Sequence, residues 1–434
     1  MSEKIGPWTA TFMVIANMIG TGIFTSLGFQ VVDIPSAFPI LLLWVIGGVA
    51  ALCGALTYGE LGTALPRSGG EYHLLSRILH PMLGFLSGWA SATVGFAAPT
   101  ALAAIAFSTY LATAFTSVPV VHTAAALVVL FSVLHSGSIW WGTRLTNALT
   151  ILKVLLLIVL VVSAFRTTSP QDITPLPLVG DLAMVATPAF AVSLVYVSFA
   201  YTGWNAAIYI VGEMARPSDL PRALFAGTAI VLVLYTLTNY AFMYTVPFDE
   251  LSGQIEVGYL SASRVFGEIG GNLMAVMIAL ILTSTVSVMI YVGPRIIQVM
   301  GEDFSLLRPL AARSARGIPV RAVAVQCLIT LGFIYTATFQ QVLLYAGFTL
   351  NLITAVTVAA VFVLRWREPS IARPYRTWAY PVPPLLFLAL SAWSLTFMLL
   401  NQPRESLAGL VTLALGLVLY GLDYAIERLR RPVL

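Results

Sequence analysis

The chain has 434 residues, of which 59% are apolar and only 9% charged, with a formal net charge of +4. Soluble domains run at roughly 45–50% apolar and about 25% charged, so a water-soluble globule is excluded. A small positive surplus says nothing about nucleic acid until the charges are placed along the chain.

Uncharged stretches at 5–32 and 34–59 exceed the roughly 20 residues that a membrane-crossing helix needs and predict spans 1 and 2. The first follows a short start bearing Lys4, but its apolar run outlasts the 7–15 residues typical of a signal-peptide core, so it reads as a retained helix. The stretch 78–143 has room for spans 3 and 4, and the segment around Lys153 is span 5. Spans 6, 7 and 8 fall in 182–212, 223–248 and 269–294, and 322–364 holds spans 9 and 10. The stretch 377–403 and the segment around Leu410 complete an all-α integral membrane protein of 12 spans. The longer connections are 166–182, 247–268, 302–320 and 365–380, so no separate soluble domain is expected. Cys53 and Cys327 lie in apolar segments without metal or disulfide spacing and read as packing residues. No metal or other cofactor is implied.

With the N-terminus inside, the inner loops collect 18 of the 22 lysines and arginines, among them Arg67, Arg77, Arg144, Arg365, Arg430 and Arg431. Arg166, Arg264 and Arg404 fall outside. This asymmetry orients the chain in a cell membrane with both termini cytoplasmic and removes nucleic acid as a partner.

Two spans are interrupted near their middle by small and polar residues. Span 1 reads Asn17-Met18-Ile19-Gly20-Thr21-Gly22-Ile23-Phe24, and span 6 reads Ser198-Phe199-Ala200-Tyr201-Thr202-Gly203-Trp204-Asn205. One glycine in a membrane helix commonly serves helix packing. Two breaks an odd number of spans apart run in opposite directions, the signature of an inverted five-plus-five repeat with its substrate site at the breaks. The repeats are expected at 1–167 and 183–365, with two added spans at 377–425.

Unwound backbone persists inside a membrane only beside a cavity, water or ligand. Free amides of Thr21, Gly22 and Ile23 at a helix N-terminus suit a carboxylate. Carbonyls of Phe199 and Ala200, with those near Met18 and Ile19, suit an ammonium group. Such a site grips the two groups common to all amino acids and leaves selectivity to the side-chain pocket. Lys153 is the one basic residue at the middle of a span, about 13 Å along a helix from Arg144 and too deep to snorkel readily. Its expected partners are carbonyls near Gly20 and the hydroxyls of Thr283, Ser284, Thr285 and Ser287 in span 8.

Gly20-Thr21-Gly22-Ile23-Phe24, Tyr58-Gly59-Glu60-Leu61, Pro66-Arg67-Ser68-Gly69-Gly70-Glu71-Tyr72 and Phe199-Ala200-Tyr201-Thr202-Gly203-Trp204-Asn205 together carry a family likeness. So does Gly212-Glu213-Met214 with Pro217 and the following Asp219-Leu220-Pro221-Arg222-Ala223. Over nearly its whole length the chain resembles the amino acid–polyamine–organocation superfamily, in a bacterial branch close to the L-type amino acid transporters. The resemblance implies the leucine-transporter fold, alternating access and Phe199 as an aromatic gate over the substrate. It places Tyr201, Gly203 and Asn205 in the substrate segment and Tyr235 as a link between the unwound segment and the gating helices. It also puts Lys153 where sodium-driven relatives bind a structural sodium, so transport is expected to need none. Thr21 and Thr202 depart from the serine and glycine of many relatives and disfavour bulky substrates. The outer loop near 115–121 has no cysteine, so no disulfide-linked heavy chain is expected.

The expected activity is sodium-independent transport of neutral L-amino acids, by exchange or proton symport; oligomeric state is left open. A carrier of cationic amino acids or polyamines would favour an acid in the pocket, and Glu213 lies too near the cytoplasm to serve. An intramembrane enzyme or a proton-translocating subunit would need a cluster of ionisable groups at depth, whereas Lys153 stands alone there.

Overall fold

The computed structural model describes residues 4–137 and 143–430. The side chains of residues 143–150, 429 and 430 lie outside that description, as do residues 138–142 and 431–434 entirely, so Arg144, Arg430 and Arg431 of the charge count are not placed.

Among the described residues the chain is helical, with one isolated backbone bridge and no sheet. Helices α1 (Pro7–Met18) and α2 (Thr21–Gln30) share one path, followed by α3 (Ala37–Ala64) and the short α4 (Gly70–Ile78). A π-helical turn, Ser91–Gly95, joins α5 (Pro81–Ala90) to α6 (Ala97–Ala114). Then come α7 (Val120–Gly137), α8 (Thr143–Ala164) and α9 (Asp181–Val185). Helix α10 (Pro188–Tyr201) is continued by a 3-10 segment, Ala206–Glu213. Helices α11 (Leu220–Thr245), α12 (Phe248–Leu251), α13 (Val257–Asp303), α14 (Val320–Thr336) and α15 (Phe339–Arg367) follow. The chain closes with α16 (Val382–Asn401) and α17 (Pro403–Arg430). Ten of the resulting rods are long and apolar enough to cross a membrane, and the shorter apolar helices Ile151–Ala164 and Val320–Thr336 fall where spans 5 and 9 are expected.

Local sequence explains the ends. Pro188 opens α10 behind Thr187, whose hydroxyl accepts the Phe190 amide, and Thr338 with Gln341 forms a reciprocal capping box at the start of α15. Two expectations change. The connection 247–268 is largely helical: α12 and the first turns of α13 lie there, and Gly267, at φ 74°, bends α13 where a side chain would resist the left-handed backbone. Helix α3 runs to Ala64, past the charge that ended its apolar run, because Glu60 is fully buried and held by Arg365 at 2.6 Å and by the Thr377 amide at 2.7 Å. A neutralised charge does not stop a membrane helix.

Glycines let the inner helices close up. A Cβ on Gly47 would meet Val197 of α10 at 2.3 Å, and one on Gly48 would meet Leu232 of α11 at 2.6 Å, so α3 lies nearly backbone-close to both. Around this core α1 packs on α11, and α2 packs on α10, α13 and α6, which sets the span-1 break among the inner helices.

Candidate functional site

The first break occupies Ile19 and Gly20. Ile19 leaves α1 with an extended ψ of 91°, and Gly20 (φ −131°, ψ −148°) turns the chain into α2, whose N-terminus no side chain caps. The first-turn amides of Thr21, Gly22 and Ile23 are thus set at the positive end of a helix, the arrangement that suits a carboxylate. The Tyr235 hydroxyl of α11 closes the other side: it donates to the Met18 carbonyl. A single phenol therefore satisfies the last carbonyl before the break. Tyr235→Phe would leave the Met18 carbonyl buried and unpaired, a loss of about 1–3 kcal/mol. We expect exchange to slow by about tenfold while the detergent-purified protein stays monodisperse; unaltered exchange in proteoliposomes would remove Tyr235 from the working site.

The second break spans Thr202 to Asn205, between α10 and the 3-10 segment. Gly203 sits at φ 101°, and a Cβ there would come within 2.7 Å of the Asn17 backbone; both facts demand glycine. Reciprocally, a Cβ on Gly22 would come within 2.5 Å of Ala200 Cα. The two broken spans are interlocked: Gly22 of α2 is seated against Ala200 of α10, and Gly203 of the second break against Asn17 of α1. This brings together Met18, Ile19, Gly20, Thr21, Gly22, Ala200 and Gly203.

Other expected site residues point elsewhere. The Phe199 carbonyl, counted among those freed for an ammonium group, accepts both the amide of Thr202 at 3.0 Å and its hydroxyl at 2.6 Å. Thr202 is folded back on the helix end by that bond. The Tyr201 hydroxyl donates to the Trp44 carbonyl at 3.1 Å, and its ring packs on Trp44 and Tyr235, away from span 1. Phe199 is buried and, with Thr202, borders a cavity of about 50 Å³ between α3, α10, α15 and α16. Asn205 donates from Nδ2 to Glu71 at 3.0 Å. In the sequence, the signal at Glu71 is an acid after two glycines in an otherwise basic loop.

Lys153, on α8, is buried and donates from Nζ to the Thr285 hydroxyl of α13 at 3.2 Å. A second cavity of about 50 Å³ separates it from the first break, lined by Asn17, Ile19, Gly20, Lys153, Ser284 and Thr285 among others. Of the hydroxyls offered as partners, Thr285 alone meets the amine directly. Ser284 borders the shared cavity but bonds the Ile281 carbonyl, Thr283 bonds Leu280, and Ser287 faces His135 at 2.9 Å. A cavity of this size with polar walls admits water between amine and unwound backbone. Cys53 and Cys327 are unpaired, and no group of metal-ligating side chains occurs among the described residues.

Comparison with known proteins identifies the family. The amino acid permease family matches the chain over residues 5–419. The mouse (Mus musculus) large neutral amino acids transporter small subunit 2 is 28% identical, over 97% of this chain and 81% of its own length. The mouse Asc-type amino acid transporter 1 is likewise 28% identical over 97% of this chain and 81% of its own length. The mouse b(0,+)-type amino acid transporter 1 is 25% identical over 100% and 91%. The chain belongs to the amino acid permease family, whose members are multi-pass membrane transporters of amino acids and not enzymes.

Proposed function

We propose that this permease carries neutral L-amino acids across the cell membrane without sodium, by alternating access, as an exchanger or a proton symporter. The observation that carries the reading is the uncapped N-terminus of α2 interlocked with the break after α10. Its amides and the nearby carbonyls offer one end of a small zwitterion a positive dipole and the other a set of acceptors. Twelve spans, cytoplasmic termini and a five-plus-five inverted repeat at 1–167 and 183–365 follow from the charge asymmetry and the opposed breaks. Lys153 supports sodium independence: its ammonium already supplies a positive charge beside Gly20, Ser284 and Thr285, where a metal cation would meet electrostatic repulsion. Phe199, next to Ala200 of the interlocked backbone, is the aromatic gate proposed to cover a bound substrate.

The test is uptake of a labelled amino acid panel, neutral and cationic, into sodium-free proteoliposomes with and without unlabelled amino acid trapped inside. Small neutral amino acids are expected to enter without sodium. Uptake that requires sodium, or that is confined to cationic members of the panel, overturns the reading. Entry only into loaded vesicles identifies exchange, and accumulation in empty ones identifies net transport.

A further inference from the structure

Glu71, at the start of α4, is buried, and the side chains that surround it are neutral. From α3 the Tyr58 hydroxyl donates to Oε1 at 2.5 Å; from the far side of the second break Asn205 donates to the same oxygen at 3.0 Å. The Thr354 side chain of α15 and Tyr209 of the 3-10 segment lie alongside, the latter packed on Gly70. Among the described residues Glu71 has no ion pair. The nearest buried acid, Glu60 on α3, is held by Arg365 and Arg373, and on the flanking stretch Arg77 is bound to Glu368. Arg67 and His73 stand on its own segment, towards the surface, and make no ion pair with it.

This set of partners works in both protonation states. Facing an ionised Glu71, Tyr58 and Asn205 both donate. Facing a protonated one, the Tyr58 hydroxyl can turn and accept, since hydroxyl hydrogens rotate to suit. The Asn205 amide nitrogen can only donate, and its bond is charge-assisted only while the carboxyl is ionised. Burial pushes the Glu71 carboxyl above the usual range, so its proton is held closer to neutral pH than that of an exposed glutamate. Thr354 also lines the cavity beside Phe199, whose polar side chains are Ser198, Thr202, Asn351 and Ser391.

We propose that Glu71 is a proton-binding site coupled to the second break through Asn205. Proton arrival weakens the Asn205 bond and frees the 3-10 tail of span 6; proton loss restores the bond and draws that tail against α4. The inference rests on the amino acid transport reading, because the coupling matters only if the broken span moves with substrate.

Two measurements on the purified full chain decide it. Infrared difference spectra across a pH titration should show a protonated-carboxyl band in the wild type that is absent from Glu71→Gln. Calorimetric titration with L-alanine and L-leucine in two buffers of different protonation enthalpy should show a fraction of a proton exchanged per bound amino acid, abolished in Glu71→Gln. Tyr58→Phe, which removes one donor to the ionised form, should move the midpoint of the band to higher pH and serves if the glutamine variant does not fold. No band assignable to Glu71, an unmoved midpoint, or proton exchange that survives in Glu71→Gln overturns the proposal. Binding without proton exchange overturns the coupling alone, whereas a Glu71 band with no amino acid bound overturns the transport reading instead.

Discussion

Lys153→Ala is expected to leave a folded, monodisperse protein whose amino acid exchange is slower by about tenfold or more. The fold survives because the amine contributes one hydrogen bond, to Thr285, and no ion pair among the described residues. Its stem fills space next to a cavity that already admits water, so truncation enlarges a wet pocket and spares the packed core. Transport suffers for a different reason. The amine bonds Thr285 of α13 and faces the unwound residues Ile19 and Gly20 across that cavity. Removing it decouples that break from its surroundings, and couplings between sites of this kind amount to about 1–3 kcal/mol, or 5–150-fold. Exchange rates in proteoliposomes, set beside the thermal midpoint of the same preparation, measure the two effects separately. A near-normal rate would take Lys153 out of the mechanism.

The parts of this site that local chemistry determines were legible in the sequence. Gly20-Thr21-Gly22 announces a break because consecutive small residues remove both the helix propensity and the side chains that would shield the backbone. A lone lysine within an apolar run announces itself by its desolvation cost. The helix ends were less legible. Glu60 looked like the edge of a span until its two arginines, more than 300 positions along the chain, were brought beside it. The same holds for Tyr201 and Asn205, which share the second break but turn to opposite partners, Trp44 and Glu71. Which way a side chain leaves an irregular segment depends on residues far away in sequence, and no periodicity carries that information. The Phe199 carbonyl makes the point at one atom: a helix ending there predicts a free acceptor, yet the threonine at 202 supplies both a hydroxyl and an amide to it.

Gly22→Val is expected to abolish substrate binding, and Gly22→Ala to weaken it strongly. At Gly22 a branched side chain would cover the α2 amides. The interlocked breaks add a more stringent obstacle, since the first carbon alone would stand 2.5 Å from Ala200 Cα and 2.6 Å from its Cβ. Neither neighbour can swing aside as a flexible side chain can, so span 1 and span 6 must part. Overpacking of this kind costs about 1–3 kcal/mol even where some relaxation is available, roughly 5–150-fold in an equilibrium constant. Gly20→Ala is the control: a Cβ there meets nothing closer than the Met18 carbonyl at 3.9 Å, and its φ of −131° suits an L-residue. Calorimetric affinities for the three variants should therefore fall in the order Gly20→Ala, Gly22→Ala, Gly22→Val. If Gly22→Ala binds as tightly as Gly20→Ala, the contact between the two breaks does not form part of the substrate site.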